Sequence, residues 1–70
     1  MEDMGSFRIG LIKFSFAIDF ERKVTYVTTR VLNKRHGRID RIVEVFDFVP
    51  SSLPELRSAV AKRFGLSSSS

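Results

Sequence analysis

Cysteine and tryptophan are absent from this chain of 70 residues, and histidine and tyrosine each occur once. Without thiols no disulfide can staple the fold, and the usual nitrogen and sulfur ligand set for zinc cannot be assembled. The single histidine, His36, lies in a basic stretch with turn character. It is a poor base for nucleophilic chemistry, which needs a nucleophile, a base and an orienting acid held together. Asp40, Glu44 and Asp47 recur at helical intervals on a segment that reads as a strand, so their carboxylates do not converge. The four glycines, Gly5, Gly10, Gly37 and Gly65, are too widely separated to form a phosphate-binding loop. These gaps predict a protein that is not an enzyme and has no cofactor, no metal site and no small-molecule substrate.

Long apolar runs are missing too. None approaches the ~18 residues of a membrane span, and the first ten residues hold no basic region followed by an apolar stretch. No membrane association is expected. The location expected is intracellular, nuclear in a eukaryote, although a cysteine-free chain fits secretion as well. A single domain is all that this length allows, and a chain so short buries only about 60% of its unfolded surface. Self-association is the remaining common support for so small a core, which predicts a homodimer.

What is present alternates. Phe7, Ile9 and Leu11 share one parity, and Ile12, Phe14, Phe16, Ile18 and Phe20 share the other. A one-residue shift of phase sends side chains to the opposite face, so a break or bulge is expected near Gly10, giving two strands or one bent strand. The segment 19–22 has turn character. Lys23 to Leu32 is rich in β-branched residues and reads as a strand. Asn33 to Gly37 supplies residues that tolerate positive φ, and Ile39 to Val49 reads as the next strand, making a hairpin. On it Ile42, Phe46 and Phe48 face one way and Val43 and Val45 the other, which predicts cover on both sides over part of its length.

Pro50 ends the sheet, and Ser51 or Ser52 is placed to cap a helix, with Glu55 three residues after Ser52 as in a capping box. The helix is predicted over 53–64, with Leu53, Leu56, Val60 and Phe64 as its apolar stripe and Gly65 as its stop. The expected fold class is α+β: a four-stranded antiparallel curved sheet followed by one C-terminal helix, in the order β-β-β-β-α. Residues 1–6 are read as a flexible N-terminus, 7–66 as the domain and 67–70 as a disordered polar tail.

Net charge is +4, and the same excess is concentrated in residues 30–41, where Arg30, Lys34, Arg35, Arg38 and Arg41 face Asp40 alone. Such a field attracts polyanions without specifying which. Aromatic rings beside cations suit a single nucleic-acid strand, with ring planes for bases and charge for phosphates. The candidate contacts are Lys13, Phe20, Lys23, Tyr26, Arg30, Lys34, Arg35, Arg38 and Arg41. Phe20 shares the parity of Phe14 and Phe16, which puts it beneath the helix; the competing role is a stacking platform. Tyr26 either stacks on a base or hides its ring and leaves its hydroxyl wet.

Phe7-Arg8-Ile9-Gly10, Asp19-Phe20, Lys23-Val24, Arg30, and Phe48 and Pro50 followed by Leu53 and Leu56 together resemble the DNA-binding domain of the positive cofactor four family of transcriptional coactivators. The resemblance covers residues 7 to about 64. It implies a dimer whose two sheets form channels for single-stranded DNA or melted duplex, with low sequence specificity. Phe20 matches a ring that stacks on bases, Lys23 a basic strand residue and Arg30 an arginine that contacts the backbone. The competing expectation is a protein-interaction module of ubiquitin-like type, whose basic strand pair docks an acidic partner. The partner expected first is single-stranded DNA or RNA.

Overall fold

The computed structural model describes residues 3–66. Four strands, β1 (Met4–Ile9), β2 (Ile12–Asp19), β3 (Val24–Asn33) and β4 (Arg38–Phe46), form one antiparallel sheet in the order β1-β2-β3-β4, and a single helix, α1 (Leu53–Arg63), follows. This is the fold class expected. The phase change near Gly10 is a hairpin turn and not a bulge: Ile9 pairs with Ile12 across two residues, and Gly10 takes φ 61°. Glycine at the first central position is what a type II′ turn requires. Leu11 therefore sits at the tip, fully exposed, and leaves the parity set of Phe7 and Ile9. Met4 pairs with Ala17, so residues 4–6, expected as part of a flexible lead, belong to the sheet. The polar tail expected at 67–70 lies outside the described residues.

The other two turns share one design. In each, the last strand residue is an Asx whose side chain accepts main-chain hydrogen bonds within a four-residue loop. Asp19 Oδ1 accepts from Glu21 N and Arg22 N, both at 3.1 Å. Asn33 Oδ1 accepts from Arg35 N at 3.1 Å and His36 N at 3.3 Å. Both loops close on a residue with positive φ, Lys23 at 58° and Gly37 at 61°. Because Asp19 ends β2 in this way, Phe20 falls in the turn and is 52% exposed. The expectation that its parity would carry it under the helix is corrected: parity stops with the strand.

One face of the sheet carries the core. Phe7 lies opposite Phe14 with rings stacked at 5.4 Å, and Phe16 opposite Val27. Ile9, Ile18, Thr25, Thr29 and Phe46 complete the buried set on this face. Gly5, opposite Phe16, leaves room for that ring: a Cβ there would come within 2.7 Å of it. Two buried threonines are satisfied by main-chain oxygens, Thr25 Oγ1 donating to Phe48 O and Thr29 Oγ1 to Lys13 O, each at 2.8 Å. Both hydroxyls would otherwise be costly in the core.

The helix lies on this face. Ser52, in extended conformation, is its N-cap and accepts from Glu55 N at 3.4 Å, while the Glu55 carboxylate accepts from the N–H and the hydroxyl of Ser51, each at 2.6 Å. At the other end Leu66 N donates to Ala61 O and Gly65 N to Lys62 O, with Gly65 at φ 69°, the Schellman pattern. Leu56, Val60 and Ala61 are buried, and the Phe64 ring lies 5.4 Å from that of Phe14. Burial of each large apolar side chain contributes about 1.5–3 kcal/mol. Leu53, placed in the apolar stripe by spacing, is instead exposed in the first turn, and Ala61 takes a core position.

β4 ends at Phe46, three residues before Val49, because the chain bends at Asp47 and Phe48 towards the helix. Cover on both sides of β4 is also corrected. Val43 and Val45 are 52% and 49% exposed, since α1 packs on the opposite face. With extents of 38 × 27 × 17 Å, the described part has two layers, and the sheet's second face is open.

Candidate nucleic-acid interface

Alternation decides which side chains reach the open face: those out of phase with Phe7, Phe14, Val27 and Phe46. Register then sorts them into rows that cross the strands. Arg8 stands opposite Lys13, and Arg30 opposite Arg41. The β2–β3 pairing ends at Phe14 with Thr29, and one further step of the same register sets Lys13 beside Arg30. Four cations thus form one row across four strands, all exposed. Like charges directly opposite each other destabilise a sheet. None of the four makes an ion pair among the described residues.

The carboxylates lie elsewhere. Asp40 and Glu44 share the parity of Phe46 and point to the helix side, where Glu44 meets Arg63 at 3.8 Å. Asp19 is on the open side but six residues along β2 from Lys13, roughly 20 Å away, and is committed to its turn and to Arg22 at 3.9 Å. The field of the row is therefore not neutralised locally.

Two further rows accompany the cations. Two residues along the strands, Ser6 pairs with Ser15 and Ser15 with Thr28, and Thr28 with Val43. Two residues beyond, Met4, Ala17, Tyr26 and Val45 stand opposite one another in turn. Tyr26 is half-buried with its ring on the open side, which leaves both of its expected roles compatible with its place. On the far side of the cations, Leu32 pairs with Ile39, both exposed.

The expected contacts separate into three groups. Lys13, Tyr26, Arg30 and Arg41 share the open face. Lys34 and Arg35 lie in the exposed β3–β4 loop, at the end of the sheet next to the cation row. Arg38 shares the helix-side parity and is paired with Asp40 at 3.1 Å, an acid that also accepts from Asn33 Nδ2 at 2.9 Å. Its charge is spent within the hairpin. Phe20 and Lys23 occupy the β2–β3 turn at the opposite end, away from the row. Lys23, expected on a strand, is a turn residue.

Arg8 was not among the expected contacts. The signal for it was present: a two-residue hairpin at Gly10 and Leu11 sets residue 8 opposite residue 13. Among the described residues no helix is long and apolar enough to cross a membrane, and no cluster of three or more His, Cys, Asp or Glu is disposed to hold a metal. Comparison of the chain with protein-family models, curated proteins and solved structures finds no significant match.

Proposed function

We propose that this chain binds single-stranded nucleic acid, DNA or RNA, across the open face of its sheet, with little sequence preference. The observation that carries the reading is the row Arg8, Lys13, Arg30 and Arg41, four cations held opposite one another with no carboxylate paired to them among the described residues. Mutual repulsion in such a row is relieved when phosphates replace their counterions. Tyr26, with Val45 and Ala17 around it, supplies a ring and apolar surface on which an unpaired base can lie, an interaction worth about 1–3 kcal/mol per base. Low specificity follows because charge and ring faces do not read base edges.

The resemblance to positive cofactor four supports the same reading through Arg30 and through the sheet-then-helix order. It extends the proposal to a homodimer acting as a transcriptional coactivator, nuclear in a eukaryote. Self-association has a physical argument of its own, since the buried apolar set is small and no disulfide supports it. Sedimentation equilibrium tests it, and a monomer at micromolar concentration contradicts it.

Fluorescence anisotropy with a single-stranded oligonucleotide, and with the matching duplex, tests binding itself. The expected result is preference for the single strand and at least a tenfold loss in Arg30→Ala/Arg41→Ala. Unchanged binding by that variant would refute the reading. A second reading, an interaction module for an acidic protein, is favoured by one observation, the half-exposed Val43 and Val45 beside Arg41. It predicts that an acidic peptide competes with the oligonucleotide.

A further inference from the structure

We infer that the strand preferred by this face is RNA, told from DNA by the hydroxyls of Ser6, Ser15 and Thr28; the inference rests on the nucleic-acid reading above. The three stand in one row across β1, β2 and β3, immediately beside the cations. Neighbouring rows are separated by two residues along each strand, roughly 7 Å. Read along the strands, the open face presents charge, then hydroxyl, then the ring of Tyr26. A nucleotide presents phosphate, then sugar, then base. A chain laid across the strands with its phosphates on the cations brings its sugars over the hydroxyl row and its bases towards Tyr26 and Val45.

The state of these hydroxyls is the second observation. On the helix face of β3, Thr25 and Thr29 each donate to a main-chain oxygen at 2.8 Å. On the open face Ser6, Ser15 and Thr28 stand opposite one another, where hydroxyls can bond across strands, yet none makes a hydrogen bond among the described residues. Each keeps a donor and two acceptor positions turned outward. The 2′-hydroxyl of ribose can both give and accept a hydrogen bond, and it is the group by which a protein separates RNA from DNA at a given site. Under a deoxyribose the same side chains lose water and gain no partner there, which is the costly half of the exchange.

The test uses oligouridylate and oligodeoxyuridylate of equal length, which differ only at the 2′ position, in anisotropy titrations at one salt concentration. The full chain is expected to bind the ribose form roughly three- to tenfold more tightly for each hydrogen bond made. Thr28→Val and Ser15→Ala are expected to lower RNA affinity and to leave DNA affinity equal or slightly raised, because the hydroxyl that a deoxyribose desolvates without a partner is gone, so that the two affinities converge. Valine keeps the shape and the strand preference of threonine, and circular dichroism checks the fold. A 2′-O-methyl oligouridylate, which lacks the donor, gives a readout without any substitution and is expected to bind more weakly than the ribose form. Equal affinity for the ribose and deoxyribose strands, or an equal loss on both in the variants, overturns the inference and leaves the nucleic-acid reading standing. No binding of either strand removes both.

Discussion

At the scale of single residues, Arg30 and Arg41 set binding against stability. They are direct neighbours across β3 and β4, and neither is paired with an acid among the described residues. Such like-charged pairs are destabilising, on the scale of about 0.2–1 kcal/mol at which favourable cross-strand pairs stabilise. Arg41→Thr, which keeps a residue suited to a strand, is expected to raise the unfolding free energy by about that amount in a urea titration. The same substitution is expected to weaken oligonucleotide binding. A variant that is less stable and binds as before would show that Arg41 has a structural role and not the one argued. What could be read beforehand was the charge of these residues but not their company. Arg30 and Arg41 were visible in the basic segment, whereas Arg8 joined them only through the register of a hairpin. Phe20 shows the reverse. Its alternation with Phe14 and Phe16 was unbroken, yet a carboxylate one residue earlier turned the chain and left the ring in solvent.

At the scale of elements, the two Asx-capped loops invite comparison. Gly37 closes one without steric cost, while Lys23 closes the other in the left-handed region, where a Cβ costs roughly 1–2 kcal/mol. Glycine gives back about 0.5–1 kcal/mol through its freer unfolded chain. Lys23→Gly is therefore expected to stabilise the fold by up to about 1.5 kcal/mol, measured by the urea midpoint. Because Lys23 lies at the end of the sheet away from the cation row, affinity for a single strand is expected to change by less than about twofold, roughly one exposed charge at long range. A tenfold loss would return Lys23 to the interface.

The helix start supplies a pH dependence. The Glu55 carboxyl is held below its ordinary value by the hydrogen bond from the Ser51 hydroxyl first, with the Ser51 N–H adding to it. A carboxyl whose folded pKa is depressed binds protons more readily when unfolded, so its contribution is complete above the unfolded value and is lost as pH falls through the folded one. The difference in urea midpoint between the parent and Glu55→Gln is expected to be largest near neutral pH and to shrink below about pH 4. A difference that stays constant from pH 7 to 3 would show that charge at the cap is irrelevant. This helix was legible from its own residues, since Ser52, Glu55 and Gly65 act within a turn of where they stand. The end of β4 was not. The parity of Phe46 and Phe48 continues past it, whereas the chain bends there and Phe48 O accepts from Thr25, a contact distant in sequence.

For the whole molecule, the property that matters is which face of the sheet the single helix leaves bare. Alternation defined two sets of side chains in β2, but only the docking of Leu56, Val60 and Ala61 on the set of Phe14 and Phe16 made the other one a surface. That assignment depends on long-range packing, which local patterns do not encode. Its consequence is measurable as a salt slope. If the row of four cations meets four phosphates, the logarithm of the binding constant should fall against the logarithm of salt with a slope of about −3, since each contact with a single strand contributes roughly −0.7. Raising salt from 50 to 200 mM should then cost about 50-fold in affinity. Arg8→Ala should reduce the slope by about 0.7, as should Arg41→Ala, and Arg38→Ala should leave it unchanged because Asp40 already holds that guanidinium. Arg8 is the decisive position, because it is far in sequence from the basic segment and belongs to the row only through the fold. A slope unaltered by Arg8→Ala but flattened by Lys34→Ala/Arg35→Ala would move the interface from the face of the sheet to the loop at its end.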